Sequence, residues 1–327
     1  MLQKQTILGI KNVYTANAFQ TSGGFLVGAG SETESDVQLY DLASGKSEPV
    51  SGCPGGMMSF IPVPGTTDSF VTIMGLFPPF IGQEAGLFFH QKIDKDWKTV
   101  KALDLPFAHR CEFIRNKGKV YLVAATVSKY KENPADWSRS GEVHVVSMAN
   151  NLTIPWQSEI IDSGITRNHG MTRTIMDNEE TICISGEQGI FYVTSKNGDN
   201  WEAKSLFNRE VSEMAFADLD GDGSNELITV EPFHGNTLNI YKMQGNGWDL
   251  KFSDSLSFGH GLSSGIFNGT PVIVIGNRSD SLSLEIFTVD NLAKGTVKRK
   301  VIEENTGPTQ TQVFAIGNIG IINIPRD

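Results

Sequence analysis

One unit recurs along this chain at irregular spacing, and a repeat of that kind decides the architecture before any single residue does. Each copy has an inner strand, a turn with Gly or Asn, a second apolar strand, a variable loop, an aromatic-rich strand and an amphipathic outer strand. The third copy reads as 109–115, 119–125, 142–148 and 156–162; the fourth as 171–176, 181–185, 190–194 and 201–207. The fifth is 213–217, 226–230, 237–242 and 248–253, and the sixth 262–267, 271–275, 283–289 and 297–303. Earlier copies start near Tyr14 and Met57. Two strands, 312–316 and 319–324, end the chain, and an orphan strand at 4–10 precedes the first copy. Pairing the two ends would remove two exposed sheet edges. The expectation is one all-β domain over residues 1–327, with seven four-stranded antiparallel blades in a ring closed by the N-terminal strand. Six or eight blades are the alternatives.

Composition agrees. The 34 glycines and 13 prolines in 327 residues suit short strands and many turns. A net charge of -10 argues against nucleic acid or an anionic membrane as partner. No run approaches the roughly 18 apolar residues that span a bilayer. The first ten residues lack the sustained apolar stretch of a signal peptide, so the expected location is the cytoplasm, or outside the cell if a leader has been removed. Cys53, Cys111 and Cys183 match no metal or disulfide spacing and read as buried, reduced thiols.

The stretch from Ala217 to Leu227, ADLDGDGSNEL, alternates three carboxylates with a glycine sixth from Asp218. Calcium takes six to eight oxygens from such carboxylates and carbonyls. An EF-hand would place a helix after the loop and Glu twelfth, but Thr229 stands there within the apolar run Leu227–Val230. Both flanks read as strands. The expected calcium ligands are Asp218, Asp220, Asp222, the carbonyl of Ser224 and Glu226; an Asx-rich turn without an ion is the alternative. This stretch resembles the FG-GAP/VCBS repeats of β-propellers, whose blades carry such loops between their first two strands.

The register of the copies also sorts the histidines. His109 lies nine residues before Gly118, His169 nine before Asn178 and His260 nine before Gly269, so all three sit at the same end of their inner strands. His234, in the second-to-third-strand loop of the fifth copy, falls on that same face; His90 and His144 lie in third strands. Imidazoles from separate strands suit a divalent transition metal such as Zn, Mn, Fe or Ni. The expectation assigns His109, His169 and His260 to that metal, with His234 or Tyr130 as base and Lys129 or Arg110 stabilising an oxyanion. His234, Glu231 and Gln188 are candidates for a fourth ligand, and Glu187 for a further ligand or proton acceptor. A polar pocket without a metal is the alternative.

The same face carries two long loops, 75–86 and 126–141, in which Phe77, Phe80 and Trp137 could stack on a sugar. Arg167 and Arg173, with Arg110, could hold a carboxylate. No GxGxxG, GxSxG or HExxH motif is present. The His-rich mouth is similar to aldos-2-ulose dehydratase and oligogalacturonate lyase propellers, which hold a divalent ion with channel histidines. That resemblance implies a metal-dependent carbohydrate lyase or dehydratase acting on a small keto- or uronic-type sugar or oligosaccharide. The competing expectation is a non-catalytic, calcium-stabilised propeller that binds a glycan or protein.

Overall fold

The second strand of each repeat is its most apolar part, and burial is deepest there. Residues 69–74 and 226–231 are buried along their whole length, whereas the outer strand 157–162 is mostly exposed. A strand buried on both faces needs a neighbouring sheet on each side, and a ring of sheets supplies one. The computed structural model describes residues 3–21, 24–78, 80, 82–148, 155–195, 200–316 and 319–324. Of the loop at 75–86, Pro79 and Ile81 thus lie outside the described residues.

Six four-stranded antiparallel sheets follow in chain order, spanning 13–49, 59–104, 108–162, 171–207, 213–255 and 259–303. Each runs from an inner strand outward without a crossover. A two-stranded sheet, Gln310–Ile316 with Ile319–Ile324, completes the ring. The protein is therefore an all-β propeller with six full blades, not seven.

Closure also departs from expectation. Residues 4–10 carry no strand; Ile7, Leu8 and Ile10 pack against Val27 and Ala29 of blade one, and Lys4 pairs with Glu303. Side chains from the terminal sheet make the seam instead. Gln310 Oε1 accepts from Thr15 Oγ1 at 2.8 Å and from Ala16 N at 3.0 Å, and Gln312 Nε2 donates to Asn17 Oδ1 at 2.6 Å. Thr309 Oγ1 donates to the Tyr14 carbonyl at 2.9 Å. Apolar side chains with one ion pair hold 4–10 in place, so its hydrophobic pattern mimics that of a paired strand.

The three cysteines are buried and free. Among the described residues no helix is long and apolar enough to cross a membrane.

Candidate metal centre at the channel mouth

Inner strands begin at one end of the channel, and each sheet delivers a residue there: Tyr14, Met58, His109 with Arg110, His169, Glu213, His260 and Thr309. The connection of residues 232–236 adds His234 from above. Ring nitrogens of His169, His234 and His260 all lie within 4.8 Å of one another. His169 Nδ1 stands 2.5 Å from Glu213 Oε1, and His260 Nδ1 donates to the Thr309 carbonyl at 2.6 Å. The Thr309 contact fixes the proton of His260 on Nδ1 and leaves its Nε2 with a lone pair, the arrangement that orients metal-ligating histidines, whereas His169 Nδ1 lies close to Glu213 without hydrogen-bond geometry. His234 Nε2 is 3.3 Å from His169 Nε2. Burial depresses all three imidazoles, His234 to about 2, and the nearby Glu213 carboxylate offsets this in part at His169. Neutral imidazole is the ligating form. The chemistry of this donor set fits a borderline divalent ion.

His109 was expected among the ligands and stands beside them instead. Its ring centroid is 5.0 Å from that of His169, its Nε2 is 3.4 Å from the Tyr14 hydroxyl, and its buried Nδ1 has no hydrogen-bond partner among the described residues. His234, expected as a base or as a fourth ligand, takes the place in the cluster. A sequence signal separates the two: His169, His234 and His260 each precede a glycine, and His109 does not. A Cβ on Gly170 would lie 2.8 Å from the Ser212 carbonyl oxygen, and one on Gly261 would lie 2.9 Å from Thr311 N. On Gly235 it would meet the Glu231 carbonyl oxygen at 2.1 Å. A bare Cα lets the neighbouring blade's backbone pass this close at Gly170 and Gly261 and lets the turn that carries His234 close on itself at Gly235.

A stack of side chains covers the cluster. Phe233 lies flat on His234 with centroids 4.0 Å apart, and Phe258 flanks His234 at 4.7 Å. The Arg167 guanidinium sits 5.6 Å from the Phe233 ring centre, and that of Arg278 5.5 Å from Phe258. Arg167, His234 and Phe258 hold φ of 54°, 48° and 57°, a left-handed conformation that costs bulky residues about 1 kcal/mol or more each. Glu213, Tyr14, Thr309, Phe258 and Arg278 had no individual signal in the sequence, because what matters is the blade each one faces.

Other expected site residues are spent locally. Arg110 donates from Nε to the His169 carbonyl at 2.9 Å and from Nη1 to the Met58 carbonyl at 3.0 Å, with Glu213 at 3.4 Å. This fastens blade three to blades two, four and five and engages the guanidinium expected to face an oxyanion. Lys129 pairs with Glu142 at 3.2 Å, while Tyr130 is exposed. Phe77 stacks on Phe80, Phe80 packs on Trp137, and the buried Lys131 ammonium lies 3.3 Å from the Trp137 ring centre. These rings, expected as a sugar platform, form the inside of their loops. Arg173 is exposed on its inner strand, Glu187 is exposed, and Gln188 is bonded to Thr166. Glu231 accepts from Thr229 and Tyr241. His90 lies between Thr72 and Thr99, and His144 faces Glu142, both in third strands. A groove of about 880 Å³, lined by Phe89, Lys119, Tyr121 and Trp201 among others, opens towards the opposite ends of the strands.

That opposite face carries the acidic turn. Asp218 accepts from the amides of Gly221, Asp222 and Gly223, and the Glu226 carboxylate accepts from Leu219 N at 2.7 Å. Asp218, Asp220 and Asp222 offer oxygens within 4.8 Å of one another, but the ammonium of Lys242 is already among them. With that lysine in place the turn does not fit the expected calcium ion.

No protein-family model matches the chain, and no curated protein does, so the FG-GAP/VCBS likeness rests on the acidic turn alone. Solved structures do match. A functionally unknown protein of Desulfotomaculum acetoxidans DSM 771 is 14% identical with a TM-score of 0.59, covering 95% of this chain and 89% of its own. The β-propeller domain of Cps50 (Swd1) from Myceliophteria thermophila is 9% identical, TM-score 0.56, with 93% and 91% covered. A candidate 6-phosphogluconolactonase of Bacteroides uniformis ATCC 8492 is 10% identical, TM-score 0.55, with 92% and 85% covered. At such identities the likeness is one of fold, and the fold is the β-propeller.

Proposed function

We propose that the protein binds a divalent transition metal through His169, His234 and His260 and is a lyase or dehydratase for a small keto- or uronic-type sugar. The observation that carries this reading is the convergence of one nitrogen each from His169, His234 and His260 within 4.8 Å of one another, with the proton of His260 held on Nδ1 by the Thr309 carbonyl and the Glu213 carboxylate close to His169 Nδ1. A metal bound there supplies a Lewis acid that polarises a carbonyl or carboxylate oxygen and acidifies the neighbouring C–H. The chain's own groups do the rest. Tyr14 and His109, in contact at 3.4 Å, form a buried donor–acceptor pair beside the cluster that can take up and return a proton. Phe233 and Phe258 exclude water, and movement of the 232–236 connection admits substrate.

Metal analysis of the purified full chain tests the first half: about one transition-metal ion per chain is expected, and trace metal would overturn the reading. Incubation of the loaded protein with keto- and uronic-type sugars tests the second, by the appearance of an unsaturated carbonyl product.

Burial favours a second reading. His169 is 4% and His260 2% exposed, so a metal here could pin the ring of a propeller that only binds a glycan or protein. A stoichiometric metal, loss of thermal stability on chelation and no turnover on any sugar would establish that reading instead.

A further inference from the structure

The acidic turn between the first two strands of blade five has the spacing of a calcium loop, yet its carboxylates converge on a side chain of the same blade. Lys242 Nζ lies 2.5 Å from Asp220 Oδ2, 2.8 Å from Asp222 Oδ2 and 3.0 Å from Glu226 Oε1. Strand register puts it there. Leu227 pairs with Tyr241 across the ladder, so the next position brings Lys242 beside Glu226. Glu226 is fully buried, and a buried carboxylate without a counter-ion is strongly destabilising. Asp218 is occupied with three backbone amides and shapes the turn without any ion. A single positive charge, tethered at high effective concentration, therefore already stands among three of the carboxylates that calcium would need.

We propose that Lys242 is the resident cation of this turn: it takes the place of calcium, and blade five folds without the metal. The ammonium donates a hydrogen bond to Asp220 and stands within ion-pair distance of Asp222 and of the buried Glu226, whose Oε1 has no hydrogen-bond partner among the described residues. A divalent ion would have to evict Lys242 while recovering six or more oxygens, and the turn offers few that are not engaged.

Thermal unfolding and calcium binding of the full chain, in EGTA and in about 1 mM CaCl2, a level that saturates all but weak calcium modules, test this. The wild-type midpoint is expected to be the same in both, with no calcium retained on equilibrium dialysis. Lys242→Met is expected to unfold about 5 °C lower or more in EGTA, and to regain part of that loss as about one calcium binds. Lys242→Arg, which keeps the charge, should stay insensitive to calcium. A wild-type protein that binds one calcium or gains stability from it would overturn the proposal, as would a Lys242→Met variant as stable as wild type in EGTA. If Lys242→Met does not fold, the calcium response of wild type and of Lys242→Arg decides.

Discussion

The inner strand of blade five, Glu213–Ala217, connects two polar clusters that differ in one respect. At its first residue a carboxylate faces His169, in a group of neutral nitrogen donors. Beyond its last residue the carboxylates of the acidic turn face Lys242. Both clusters gather possible ligands within 4.8 Å, so distance alone does not tell them apart. Charge does. The guanidiniums of Arg110, Arg167 and Arg278 lie around the imidazoles, but no cationic group stands among their nitrogens, and the Thr309 contact leaves His260 its Nε2 lone pair. The acidic cluster, by contrast, already holds the Lys242 ammonium among its carboxylates. A metal site needs donors whose electrons are uncommitted.

The largest expected effect divides the two ends outright. His169→Ala with His260→Ala should reduce the transition-metal content from about one ion per chain to trace, whereas Asp218→Asn should leave it unchanged. Equal loss in both variants would erase the distinction. Glu213→Gln sharpens it: with the ligands intact but the carboxylate behind His169 removed, metal affinity should weaken about 10- to 100-fold in a competition titration. Affinity equal to wild type would reduce Glu213 to a structural partner of Arg110.

Acid should separate the ends as well. The buried imidazoles of His109, His169, His234 and His260 are depressed in the folded state, so below the ordinary histidine value near 6.5 the unfolded chain binds more protons. Stability of the metal-free protein should then fall as pH drops from about 6.5, by up to about 1.4 kcal/mol per pH unit for each imidazole. Asp222 is also depressed, through its contact with Lys242, but a carboxylate contribution is present above about 4 and lost only below it. Urea titrations at several pH values should therefore show a loss between pH 6.5 and 4.5 that Asp222→Asn does not alter.

The smallest effects are steric. Gly170→Ala should cost about 1–3 kcal/mol, since its Cβ would press on Ser185 and on the Ser212 carbonyl. Gly221→Ala, at φ 76° with open space around it, should cost about 1 kcal/mol through backbone strain alone.

The strands were legible because alternation and turn residues are local properties. Blade six, read as 262–267, 271–275, 283–289 and 297–303, has its four strands there. Closure was not legible. An extended segment such as 4–10 shows the same apolar pattern whether it joins a ladder or only lays Ile7, Leu8 and Ile10 on blade one. The convergence of histidines on one face followed from register, but register could not rank His234 against His109. The His-Gly pairs could have done so, since a glycine after the histidine reports a close backbone approach, a neighbouring blade at Gly170 and Gly261 and the turn's own Glu231 carbonyl at Gly235. Lys242 was invisible as a partner of the acidic turn because its role depends on a cross-strand placement beside Glu226, sixteen residues earlier.

Thr309 takes part in two things at once. Its hydroxyl clasps blade one at the seam, and its carbonyl fixes the proton of His260. Ring opening and ligand affinity are then thermodynamically linked. Any ion that prefers the aligned His260 must hold the seam shut by RT ln(1 + [L]/Kd), and a strained seam must loosen the ion by the same free energy. Amide hydrogen exchange along 310–316 would act as a distant gauge of what is bound at the mouth.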